Sequence, residues 1–123
     1  MYKDRKQMAA FYGRSAAANP EAIRAQLAFA RGIAQEEGDT IPEDPALLFI
    51  DDGVDGLSTP RPAWERLVDA VAGGAKPPFE RVYLGDRTRI SRGSPQEVLD
   101  AERLLMRYGV TLRYCTASCE SDR

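Results

Sequence analysis

Apolar positions in this chain follow two rhythms that alternate along its length. Apolar-rich runs at Met8 to Tyr12, Ala46 to Ile50, Phe79 to Leu84 and Val110 to Cys115 have the length of buried strands. Between them lie stretches of helical period. Ile23, Leu27, Ala30 and Ala34 share one face of a helix that Asn19-Pro20-Glu21 opens and Gly38 follows. Trp64, Leu67, Val68 and Val71 repeat at helical spacing in a second helix, from about Arg61 to Ala72, stopped by Gly73-Gly74. Ser94-Pro95-Gln96-Glu97 reads as a capping box, and Val98, Ala101, Leu105 and Tyr108 as the buried face of a third helix ended by Gly109. The polar Asp39 to Pro45 segment and the glycine-bearing Asp51 to Thr59 segment read as loops.

Strands joined through helices imply right-handed crossovers and a parallel sheet. The expected fold is therefore a three-layer α/β domain, a mostly parallel sheet with helices on both faces. The domain is expected over residues 8–116, with a flexible N-terminus at 1–7 and a frayed tail at 117–123. A chain of 123 residues is long enough to bury one core without staples.

Composition narrows the chemistry. Histidine is absent, which removes Ser-His-Asp and Cys-His nucleophilic systems and histidine metal sites together. Two cysteines, Cys115 and Cys119, are too few for a structural zinc site in one chain, so no metal is expected. A net charge of −2 means that nucleic acid would have to be met through a local patch. No apolar run approaches the ~18 residues that span a bilayer, and no signal-peptide core follows the N-terminus. The chain reads as cytoplasmic, without membrane contact.

In open parallel sheets the chemistry gathers at the carboxyl ends of the strands. The loops there carry Arg14 and Ser15, then Asp51, Asp52, Asp55 and Arg61, then Arg87, Arg89 and Arg92. Guanidinium groups are forked, permanently charged donors suited to phosphate oxygens. The set suggests a phosphodiester site with a hydroxyl nearby. Gly53-Val54-Asp55-Gly56 lacks the spacing of a nucleotide fingerprint, so no cofactor is expected. Blander readings stand beside this one. Ser15 can be a turn hydroxyl, Arg87, Arg89 and Arg92 can be a solvated loop paired with Asp86 or Glu97, and Asp51 with Asp52 can form ion pairs. Trp64 reads as core, Ser58 and Thr59 as helix-start residues, and Ser91 as the other hydroxyl worth testing.

The ordered motifs resemble a known family. Tyr12-Gly13-Arg14-Ser15 is similar to the Tyr-x-Arg-x-Ser segment that opens serine recombinase (resolvase/invertase) catalytic domains. Ala22-Ile23-Arg24-Ala25-Gln26 resembles their Ser-Ile-x-x-Gln helix, and Phe49 to Pro62 their Phe-x-Asp-x-Gly-x-Ser-Gly…Arg-Pro block. Thr88-Arg89-Ile90-Ser91-Arg92 resembles their Asp-Arg-Leu-Ser-Arg motif, and Tyr108-Gly109-Val110 the turn that follows. The resemblance spans about residues 8–116. It implies site-specific DNA strand exchange through a phosphoserine–DNA intermediate, in a homo-oligomer that needs no cofactor. Arg14, Arg61, Arg89 and Arg92 would clamp the scissile phosphate. Gln26 would orient the site, Asp51 would hold an arginine, and Arg87, Arg89 and Arg92 would contact DNA. The chain departs from the pattern at two places. Ala16 occupies the nucleophile position, leaving Ser15 one residue early, and Asp55 replaces a serine. The alternative implied by those departures is a catalytically inactive homologue acting as a DNA-associated or dimerising module.

Overall fold

A computed structural model describes residues 7–54, 61–73, 77–91 and 94–115. Its main sheet has four parallel strands, β2 (Ala10–Ser15), β4 (Leu48–Asp52), β5 (Arg81–Leu84) and β6 (Thr111–Tyr114), in the order β4-β2-β5-β6. A short parallel ladder joins β1 (Gln7–Met8) to β3 (Asp39–Thr40). The connections run through α1 (Pro20–Glu36), α2 (Pro62–Ala72) and α3 (Pro95–Arg107).

The first connection steps from β2 to one side, and the later ones step to the other. Right-handed crossovers then place α1 on one face of the sheet and α2 with α3 on the opposite face. Side chains of β2 divide accordingly. Ala10 and Tyr12 pack with Leu67 and Val71 of α2 and with Val98 and Leu105 of α3. Phe11 packs with Ala30 and Ala34 of α1. The three-layer arrangement expected from the sequence is the one observed. The reversal of direction falls at the carboxyl ends of β2 and β5, the position at which open sheets place their ligand sites.

Helix starts follow the sequence signals. Asn19 accepts a hydrogen bond from the Ala22 amide, and Ser94 Oγ accepts one from the Glu97 amide at 3.1 Å. Three local expectations need correction. The first main strand continues past Tyr12, because Arg14 and Ser15 stay in register with Asp51 and Asp52 of β4; both are strand residues. Tyr108 lies beyond the last turn of α3 and is 43% exposed, since Gly109 at φ 83° turns the chain away there. The polar segment from Asp39 is also no simple loop, because Asp39 is buried in β3.

A charged side chain can be buried when its lone pairs are met. Asp39 accepts from Arg81 Nε at 2.7 Å and from the Tyr83 hydroxyl at 2.5 Å. Glu37 lies within 2.9 Å of the same hydroxyl and pairs with Arg113. This clasp ties the end of α1 to β3, β5 and β6. Arg113, first, and Tyr83 hold the Glu37 carboxyl below its ordinary range, although burial opposes them.

Asp39 is 2% exposed while Arg81 is 37% exposed and can be hydrated, so Asp39→Ala is expected to cost about 1–3 kcal/mol in urea unfolding. Arg113→Ala, at a half-exposed pair, should cost under ~1 kcal/mol. A carboxyl held low contributes its stability above its unfolded pKa and loses it as pH falls through the folded one. Wild-type urea midpoints should therefore decrease as pH is lowered below the ordinary glutamate pKa of 4.5, and Arg113→Ala should narrow that decrease.

Candidate functional site

Alternation along β2 decides which side chains can meet. Tyr12 and Arg14 leave on the α2 face, while Gly13 and Ser15 leave on the α1 face. Arg14 is 1% exposed and among the largest fully buried side chains. Its Nε donates to the Arg89 carbonyl at 3.0 Å, Nη1 to the Val54 carbonyl at 3.0 Å, and Nη2 to the Thr88 carbonyl. Arg61 stands at the N-cap position of α2, donates to the Ile90 carbonyl, and lies over the Trp64 ring at 5.8 Å. Thr88, Arg89 and Ile90 are successive residues at the end of the Arg87–Arg89 3-10 turn. Their carbonyls carry the partial negative charge of a helical C-terminus, and two guanidinium groups meet it.

Asp51 caps the helix that Arg61 cannot. Arg61 makes no side-chain cap bond; instead Asp51 accepts from the amides of Ala63 at 2.8 Å and Trp64 at 3.1 Å. It also accepts from the Tyr12 hydroxyl at 2.8 Å, and burial together with this carboxylate pushes the Tyr12 phenol far up. Its described hydrogen bonds dock the start of α2, because a helix N-terminus offers two aligned donors. Asp52, on the other face of β4, accepts from the Asn19 amide at 2.7 Å and docks the start of α1. Neighbouring aspartates, pointing opposite ways, fix one helix on each side of the sheet.

Ser15 Oγ donates to the Ala17 carbonyl at 2.6 Å, and Ala16 is exposed in the bend that follows β2. On this α1 face Gln26 Nε2 and Arg89 Nη1 both donate to the Arg14 carbonyl, at 3.2 and 3.3 Å. Gln26 Oε1 and Arg89 Nε are buried without a hydrogen-bond partner among the described residues. Two glycines make the approach possible. A Cβ at Gly13 would stand 2.8 Å from the Phe11 ring and 3.4 Å from Gln26 Oε1, and one at Gly85 would stand 3.4 Å from Arg89 Nε.

The remaining arginine of the described turn, Arg87, lies 4.8 Å over the Tyr114 ring and 3.9 Å from Glu102, with 63% of its side chain exposed. Asp86, expected as its partner, caps the turn through the Thr88 amide. Ser91 Oγ accepts from the Ser94 amide at 3.1 Å and serves the entry to α3. Arg92, Asp55, Ser58 and Thr59 lie outside the described residues. Of the four expected clamp arginines, Arg14 and Arg61 donate to carbonyls of residues 88–90, while Arg89, with Gln26, donates to the Arg14 carbonyl. Tyr12 and the receiving carbonyls were missed from the sequence. Tyr12 could have been found by its i−2 position from Arg14 on one strand face.

The resolvase N-terminal domain family matches residues 9–123, and the chain belongs to that family. Among solved structures it is similar to the N-terminal catalytic domain of TP901-1 integrase, with TM-score 0.74 and 21% identity over 89% of this chain and 78% of that one. A resolvase family site-specific recombinase from Streptococcus pneumoniae gives TM-score 0.74 and 20% identity over 96% and 78%. The C-terminal catalytic domain of ISC1926 TnpA, an IS607-like serine recombinase, gives 0.73 and 20% over 94% and 71%. These likenesses establish the fold. No curated protein matches the chain at a significant level. Among the described residues no helix is long and apolar enough to cross a membrane.

Lysine has one compact ammonium and cannot reproduce a three-way planar fork. Arg14→Lys should therefore lower stability by about 1–3 kcal/mol in urea unfolding, since the accepting carbonyls are only partly buried and water can meet some of them. A neutral result would show that Arg14 does not hold those carbonyls.

Proposed function

We propose that this domain associates with DNA phosphodiesters at the carboxyl edge of β2 and β5 and does not cleave them through Ser15. One observation carries the reading: Ser15 Oγ is bonded to the Ala17 carbonyl on the face opposite Arg14 and Arg61. A serine that attacks phosphorus needs its hydroxyl in line with the phosphate and donors placed where charge develops. Here the hydroxyl and two of the arginines diverge, and the family's nucleophile position carries a methyl group. Arg87 and Arg89 remain as phosphate contacts, joined in the sequence by Arg92. Family membership supports a DNA partner and a homo-oligomeric assembly, and a cytoplasmic location accords with both.

A second reading is favoured by a different fact. Ser15 leaves the strand on the same face as Gln26 and Arg89, so strand exchange with a displaced nucleophile keeps a local donor set. In that reaction Ser15 Oγ bonds to phosphorus, the 3′ oxygen departs, and the resulting phosphoseryl linkage is later reversed by a free 3′-hydroxyl. A denaturing gel separates the two readings.

With supercoiled plasmid and sheared genomic DNA, the proposal expects no detergent-resistant protein–DNA adduct. An adduct that disappears in Ser15→Ala would establish the second reading. Binding itself is expected to be electrostatic. Anisotropy of a labelled duplex should give a log–log salt slope of about −0.9 per phosphate neutralised, and Arg87→Gln should reduce its magnitude by about one. Absence of duplex binding at low salt would remove DNA association altogether.

A further inference from the structure

We infer that the outer face of α1 is a self-docking surface, on which a second copy of this chain packs its own α1 antiparallel, with Phe29 of each copy seated over Gly32 of the other. The inference rests on the homo-oligomeric reading above and names the surface that serves it. α1 buries Ile23, Ala30 and Ala34 against the sheet. The opposite face then carries Ala25, Ala28, Phe29 and Gly32, all of them exposed, with Phe29 at 52%. Charge is confined to the ends of that face, Glu21 with Arg24 at one and Glu36 at the other. Arg31, the ionisable residue between them, is turned to the Ile41 and Pro42 carbonyls and to Glu43. The middle of α1 therefore offers solvent an uncharged surface with a protruding aromatic ring, which suits an interface better than a solvated helix face.

Gly32 is an independent sign of close approach. Glycine is the least favourable helix-interior residue after proline, and nothing inside the fold calls for it here. Gly32 lies within α1 without a positive φ, and a Cβ built on it meets no atom within 4 Å. The missing side chain leaves a notch one helical turn from the Phe29 ring on the outer face.

A knob and a notch on one helix face fit a copy of themselves. With two α1 helices antiparallel and centred between Ala30 and Arg31, Phe29 meets the partner's Gly32, and the two-fold axis repeats the contact and closes the pair. The same register sets Ala25 opposite the partner's Glu36, which keeps the two Glu36 carboxylates apart. It also brings Arg24 to the end of the pair where the partner's Glu36 stands, so opposite charges share each end. A parallel pair would set Glu36 against Glu36. One helix pair buries less than the ~1,200 Å² at the lower end of standard interfaces, so the dimer is weak, with a Kd in the micromolar range.

The test is sedimentation equilibrium of the full chain without DNA, over a wide concentration range. The expected result is a reversible monomer–dimer equilibrium that Phe29→Ala weakens by roughly tenfold or more, a factor of ten being about 1.4 kcal/mol. Gly32→Ala separates contact from folding: the urea midpoint at monomeric concentrations should rise, because alanine favours helix, while association weakens. Gly32→Leu should abolish association with the urea midpoint no lower than that of the wild type. A dimer left intact by Phe29→Ala and Gly32→Leu overturns the surface and leaves the homo-oligomeric reading standing, since assembly then uses another face. A monomer at every concentration overturns both. Duplex anisotropy at monomeric concentrations should be the same for Phe29→Ala and wild type; a loss of duplex affinity there assigns the face to DNA and overturns self-docking.

Discussion

The guanidinium of Arg14 sits at the end of the second strand of the chain, sealed from water, and everything at the carboxyl edge is arranged around satisfying it. A permanently charged group in that position has no neutral form to retreat to, so its donors must all be met. Three backbone carbonyls meet Nε, Nη1 and Nη2, drawn from the loop after β4 and the turn after β5. Two loops that are distant in sequence are fixed to each other by one side chain. The gain over a purely apolar plug is direction: a planar fork fixes where each carbonyl points, whereas an apolar contact fixes only proximity.

The same edge is braced from β4. Asp51 and Asp52 are consecutive, and strand alternation sends them to opposite layers, where each receives the start of a helix. Together with Arg14 they make the strand ends rigid before any ligand arrives. Rigidity of this kind accords with the proposed phosphate contacts, because donors held in advance need no reordering when charge appears.

Much of the architecture was legible in the sequence because the two apolar rhythms were unambiguous. The Trp64, Leu67 and Val71 repeat marked α2, and Asn19 and Ser94 marked helix starts that the structure reproduces. Tyr108 was misplaced because its spacing continued the helical period while Gly109 had already ended the helix. The short β3 strand was hidden for a different reason. Asp39 is polar, and its burial depends on Arg81 and Tyr83, which lie more than forty residues away. The site was legible as a list of residues at strand ends, and less so as a geometry. Sequence order shows that arginines converge. It does not show that their acceptors are the chain's own carbonyls, since every residue carries a carbonyl and none is distinguished by its side chain.

This member of the resolvase family retains the fold and the strand-end arginines, and its Ser15 hydroxyl is bonded to the Ala17 carbonyl. The Arg14 guanidinium is locked onto backbone carbonyls in the free protein. The most direct measurement is solvent exchange of the arginine Nε–H protons by nitrogen-edited NMR without DNA. The Arg14 Nε–H should give a resolved signal that exchanges far more slowly than that of the exposed Arg87. Rapid exchange of Arg14, indistinguishable from Arg87, would mean that its guanidinium is open to solvent and that the carbonyl frame described above does not exist.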